Sequence, residues 1–156
     1  MYVCCMEDRH IEKSHNKTCL LYHIVCPVKY RREVLTDGVV KTLTETCLGI
    51  QSRYDIHFIE IGTDGDHVHL LVQSVPTASP KQIVQTIKSI TARAIFKQNP
   101  EIKRMLWGGE FWTKGYYINT VGQYATADII RNYVKNQGKQ YTKLHQGQST
   151  LFGSLE

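Results

Sequence analysis

What the 156-residue chain lacks narrows it first. No apolar run approaches the roughly 20 residues that a bilayer-spanning helix needs, so a membrane protein is not expected. The first ten residues hold no basic flank followed by an apolar stretch, and a secretory signal is not expected either. Five cysteines occur, Cys4, Cys5, Cys19, Cys26 and Cys47, an odd number without a C-x-x-C pair. Such spacing supports neither a disulfide framework nor a zinc knuckle, which leaves reduced thiols in a cytoplasmic protein. Internal repeats and low-complexity segments are also missing.

What is present belongs to an ordinary globular domain. The length fits one domain, and a hydrophobic fraction of 42% is enough to fill its core. Lys and Arg total 19 against 14 acids, a formal charge of +5 that suits a polyanionic partner. The clustering says more than the total. Lys29, Arg31 and Arg32 flank Tyr30, and Arg131, Lys135, Lys139 and Lys143 recur at four-residue spacing.

Residues 1–17 read as a variable arm, 18–140 as one domain and 141–156 as a short polar tail. Thr18 to Tyr30 has the profile of a strand that Pro27 bends or ends. Val39, Val40, Leu43, Cys47, Ile50 and Tyr54 give a helix capped by Thr36 or Asp37. Ile56–Ile61 and His67–Val75 read as a hairpin around the turn Thr63-Asp64-Gly65-Asp66. Ser79-Pro80-Lys81-Gln82 is a capping box that starts a second helix, running to Asn99-Pro100. Phe111–Val121 reads as a fourth strand and Thr126–Lys139 as a last helix. The class is therefore α+β, with a ferredoxin-like split βαβ antiparallel sheet. Two helices cover one face, the other face is open, and an extra C-terminal helix follows.

His67-Val68-His69 is the sharpest local feature. Alternation along a strand sends both imidazoles to one face, about 7 Å apart at their Cα atoms, close enough to converge on one divalent ion. Val68, Leu70 and Val72 then point toward the helices, which puts the histidines on the open face. Two histidines can also simply decorate a solvated strand. A third histidine two residues on would indicate a nucleotide hydrolase of the histidine-triad type, but that place holds Leu71. On the last helix Tyr133 and Gln137 stand at i and i+4, a phenol beside an amide oxygen. Ile129, Ile130, Tyr133 and Val134 also make an ordinary core stripe.

Taken together, the motifs resemble the HUH superfamily of nucleases. More closely, they are similar to the small single-tyrosine transposases, TnpA type, of the insertion-sequence 200/605 family. The resemblance spans about residues 18–140. It rests on Tyr22-His23-Ile24-Val25, Lys29-Tyr30-Arg31-Arg32, Thr63-Asp64-Gly65-Asp66-His67-Val68-His69, Leu106-Trp107, Phe111-Trp112, Gly115 through Gly122, and Arg131-Asn132-Tyr133-Val134-Lys135-Asn136-Gln137.

The resemblance implies roles and partners. His67 and His69 match the metal pair, Gln137 the third protein ligand and Tyr133 the nucleophile, with Mg²⁺ or Mn²⁺ as the family's usual ion. Single-stranded DNA hairpins at transposon ends and target DNA are the implied substrates, handled by a homodimer with composite active sites. Lys29, Arg31, Arg32, Lys88, Arg93, Arg131 and Lys135 are expected at phosphates, and Tyr30, Trp107 and Trp112 as stacking groups. Three other readings compete: a domesticated relative acting on chromosomal repeats, a non-catalytic nucleic-acid-binding module, and a hydrolytic phosphodiesterase that does not use the tyrosine.

Overall fold

Two periodicities, period two in the strands and three-to-four in the helices, build a sheet and the layer that covers it. The computed structural model of the chain describes residues 10–122 and 142–146. A short hairpin, β1 (Ile11–Lys13) and β2 (Asn16–Thr18), stands first, inside the segment read as an arm. There follow β3 (Leu20–Pro27), α1 (Asp37–Arg53), β4 (His57–Asp64), β5 (His67–Ser74) and α2 (Pro80–Gln98). After these come α3 (Pro100–Met105), β6 (Tyr117–Val121) and β7 (Thr142–Gln146).

The larger sheet is antiparallel with strand order β6-β3-β5-β4-β7. Its first four strands have the expected split βαβ arrangement, and the α+β, ferredoxin-like class holds. β7 adds a strand beside β4, inside the segment read as a polar tail. The helix expected over 126–139 lies outside the described residues.

One face of the sheet carries the main core. Ile24 and Cys26 of β3 and Val68, Leu70 and Val72 of β5 meet Leu43, Cys47 and Ile50 of α1 and Val84, Ile87 and Ile95 of α2. Each large aliphatic side chain taken fully from water contributes about 1.5–3 kcal/mol. The helices begin where their caps dictate. Thr36 Oγ1 accepts from the Val39 N–H at 3.4 Å. At α2, Ser79 Oγ accepts from the Gln82 N–H at 3.1 Å and Gln82 Oε1 accepts from the Ser79 N–H at 2.9 Å, a complete capping box.

Two local readings are made more precise and two are corrected. β3 ends at Pro27, one of the two outcomes expected there, and Lys29–Arg31 forms a single 3₁₀ turn. The second helix ends at Gln98, and Pro100 starts a further short helix, α3, whose first N–H would lack a partner anyway. β6 begins at Tyr117, not at Phe111, because Phe111 and Trp112 are drawn into the core. Their rings meet edge to face at 4.6 Å, and Trp112 Nε1 donates to Thr91 Oγ1 at 3.0 Å. Finally, the β4–β5 turn is shorter than expected. Asp64 and His67 are a register pair, which leaves only Gly65-Asp66 outside the strands. Gly65 has φ +62°, a left-handed value that glycine takes without strain.

Candidate metal centre

β5 sends His67 and His69 to the face away from α1 and α2, as alternation requires, with ring centroids 4.9 Å apart. The shortened turn makes Asp64 the strand partner of His67 and so brings a carboxylate to the same place. One donor atom from each of Asp64, His67 and His69 lies within 4.8 Å of the others. Asp64 Oδ2 is 3.6 Å from His67 Nε2. Two imidazole nitrogens and a carboxylate oxygen match the donors that divalent ions such as Mn²⁺ take, and the carboxylate makes the set harder than imidazoles alone.

The orientation of His67 is held from behind. Its Nδ1 lies 2.7 Å from Asp66 Oδ1, while Asp66 Oδ2 accepts from Arg31 Nε at 2.7 Å. A proton kept on Nδ1 by that carboxylate leaves Nε2 with a lone pair on the Asp64 side. Partial burial alone would raise the Asp66 pKa. The hydrogen bonds from His67 and Arg31 nevertheless hold it below the usual carboxylate range. Arg31 reaches Asp66 from a left-handed backbone, with φ 57° at Tyr30 and 53° at Arg31. For non-glycine residues such a conformation costs about 1–3 kcal/mol.

His69 is buried, and its pKa is pushed down to about 4 by that burial first and by the neighbouring His67 and His23 next. It therefore stays a neutral imidazole, the form that binds metal. His23 of β3 is buried against it, with His23 Nε2 3.2 Å from His69 Nδ1. Burial lowers the His23 pKa, against an opposing hydrogen-bond contribution from the Asn119 side chain.

The structure brings His67 and His69 together as expected, whereas Tyr133, Gln137, Arg131 and Lys135 lie outside the described residues. The basic run is less exposed to a ligand than its charge suggests. Lys29 Nζ is 2.7 Å from Glu110 and Arg31 is held by Asp66, while Arg32 and Tyr30 are exposed. Lys88 is not a solvated cation. Its ammonium donates to the carbonyls of Thr113 at 2.6 Å, Gly115 at 3.2 Å and Lys114 at 3.4 Å, holding the loop before β6. Arg93 is exposed, with Nε donating to Ser89 O at 3.2 Å. Of the proposed stacking groups Trp107 is 84% exposed, but Trp112 is a core residue.

Three residues at the site received no role from the sequence: Asp64, Asp66 and His23. The first two were read as turn formers. His23 stood inside a quoted motif, and only the strand register shows that it reaches His69. The face expected to be open is also partly filled, since Leu21, Ile59 and Leu71 form a small buried cluster there.

A ferredoxin-like antiparallel sheet with a His-x-His strand on one face is the framework that the resemblance to the HUH enzymes implies. The chain belongs to the family described as Transposase IS200 like, whose model matches residues 16–137. It is 34% identical over 118 residues to the ISDra2 transposase TnpA of Deinococcus radiodurans, covering 76% of this chain and 84% of that protein. Against the transposase for insertion sequence element IS200 of Salmonella typhimurium the identity is 27% over 128 residues, 81% of this chain and 83% of that one. A crystal structure of a candidate transposase from Deinococcus radiodurans R1 matches with a TM-score of 0.65 at 28% identity, covering 83% of this chain and 100% of that one. Membership makes the chain a DNA-processing enzyme with DNA as its partner. Among the described residues, no helix is long and apolar enough to cross a membrane.

Proposed function

We propose that this transposase cuts and rejoins single-stranded DNA at hairpin-marked element ends through a 5′-phosphotyrosine on Tyr133. The observation that carries the reading is the cluster of Asp64, His67 and His69, with donor atoms within 4.8 Å, on the sheet of a chain of this family. These three residues, with Gln137 added from the sequence, would hold Mg²⁺ or Mn²⁺. When bound, the ion would supply Lewis-acid stabilisation of charge on the scissile phosphate.

The rest is done by the chain. A phenol has a pKa of about 10, so Tyr133 must lose its proton as its oxygen attacks phosphorus. The new bond joins that oxygen to the 5′-phosphate. The bond to the 3′-oxygen breaks, and the departing oxygen takes a proton to become a free 3′-OH. The phosphodiester energy is retained, so a 3′-OH from another end can reverse the step without ATP. Arg32 and Arg93, both exposed, and Arg131 and Lys135 from the sequence suit phosphate contacts, and the exposed rings of Tyr30 and Trp107 suit stacking on unpaired bases. Lys88 serves by shaping its loop. One tyrosine holds one DNA end, so two ends call for a homodimer with composite sites.

The test is a covalent adduct. With Mn²⁺ and a single-stranded hairpin substrate carrying a phosphorothiolate at the cleavage point, the wild-type chain should run as a protein–DNA conjugate on a denaturing gel. Tyr133→Phe or chelation should abolish it. Cleavage without any conjugate would favour a hydrolytic phosphodiesterase, and binding without cleavage a non-catalytic module; either result would overturn the proposal.

A further inference from the structure

We infer that His23 is a positioning residue for His69: it accepts the His69 Nδ1 proton and so fixes the tautomer in which Nε2 faces the cation. The inference rests on the reading of Asp64, His67 and His69 as a cation site.

The geometry is specific. Val25 is the register partner of His69, so His23, two residues earlier on β3, is its diagonal neighbour on the same face. The two rings lie 5.4 Å apart and only 8° from parallel, with His23 Nε2 and His69 Nδ1 separated by 3.2 Å. A neutral imidazole carries one N–H and one lone pair, so one ring donates and the other accepts. If His23 donated, His69 Nδ1 would spend its lone pair on that contact and its proton would sit on Nε2. Neither nitrogen could then bind a metal. If His69 donates, Nε2 keeps its lone pair. A cation at this site is therefore compatible with one direction of the hydrogen bond only.

An acceptor role at Nε2 leaves the proton of the neutral His23 ring on Nδ1. On β6, Asn119 is the register partner of His23. The Tyr117 ring stands edge-on to the imidazole, with centroids 6.3 Å apart. His67 receives the equivalent service from Asp66, so each histidine is oriented through its Nδ1 by a different group. A carboxylate adds charge behind His67, and a neutral imidazole adds none behind His69.

The experiment uses the full-length chain, as wild type, His23→Leu and His23→Gln. Nitrogen-15 spectra of the metal-free wild type should show His69 protonated at Nδ1. Manganese titration should give a roughly 10–100-fold weaker Kd for His23→Leu, the usual cost of losing such a partner. His23→Gln, whose Oε1 can accept the same proton, should recover most of the affinity, which a purely structural role for the imidazole would not predict. Thermal unfolding without metal reports whether each variant folds. A proton on His69 Nε2 in the wild type overturns the proposal even if His23→Leu does not fold. Equal affinity in all three chains overturns it and leaves the cation site standing. A wild type that takes no Mn²⁺ removes the site and the proposal together.

Discussion

Along β5 the side chains alternate between two surfaces of opposite character. Val68, Leu70 and Val72 turn to α1 and α2, into a core that is predominantly aliphatic. His67, His69, Leu71 and Gln73 turn the other way. On that side the apolar cluster shrinks to Leu21, Ile59 and Leu71, while His23, Glu60, His69 and Gln73 are all buried. A buried polar group must recover its desolvation cost through hydrogen bonds and contributes only a modest net stabilisation, so aliphatic side chains would stabilise the same surface more. The difference teaches that one strand serves two ends. One face holds the fold together, and the other gives up stability to keep ligating groups dry and oriented.

If that division is right, substitutions one residue apart should fail in different ways. The largest effect should follow His67→Ala, which removes a ligand but little packing. Strand cleavage should fall about a thousandfold or more, corresponding to the several kcal/mol that a cation contributes at a phosphoryl oxygen. Mn²⁺ binding should be lost as well, while the metal-free Tm stays near the wild type or rises. A His67→Ala chain that unfolds would mean that the histidine face is structural after all.

Leu70→Ala should do the reverse. The side chain is 1% exposed at the centre of the helix-covered face, and its truncation leaves a cavity. A loss of about 2–5 kcal/mol in urea unfolding is expected. Cleavage per folded molecule and Mn²⁺ affinity should stay within a few-fold of the wild type. A collapse of metal affinity in this variant would show that the two faces are coupled through the strand.

The same contrast explains what could be read in advance. His67-Val68-His69 was legible because alternation is a local property and needs no knowledge of neighbouring strands. The Ser79–Gln82 capping box was legible for the same reason. Asp64 was not, because Thr63-Asp64-Gly65-Asp66 is compatible with either a two-residue or a longer turn, and only the former places the carboxylate in a strand. His23 lies 46 residues from His69 in the chain, and their contact is a fact of register between strands. Phe111 and Trp112 favour strands by propensity, but the space beside α2 outweighs that preference. Lys88 looks like a surface cation until the carbonyls of Thr113–Gly115 are seen to surround it. Local chemistry was readable; what depended on distant partners was not.

The smallest effect tests the polar exception on the aliphatic face. Trp112 Nε1 donates to Thr91 Oγ1 at 3.0 Å, and Thr91 Oγ1 donates in turn to Ile87 O at 2.6 Å, all of it buried. Trp112→Phe removes the first donor and part of the ring, but the hydroxyl keeps its own acceptor. Thr91→Val instead strands the indole N–H away from water, which should cost about 1–3 kcal/mol. In the double variant neither partner remains to be left unsatisfied, so its loss should be smaller than the sum of the two single losses. A coupling of about 0.5–1.5 kcal/mol in urea unfolding is expected, with Mn²⁺ affinity unchanged throughout. Strict additivity would show that the bond contributes packing alone. A change in metal affinity would show that this corner of the core reaches through the sheet to the histidines.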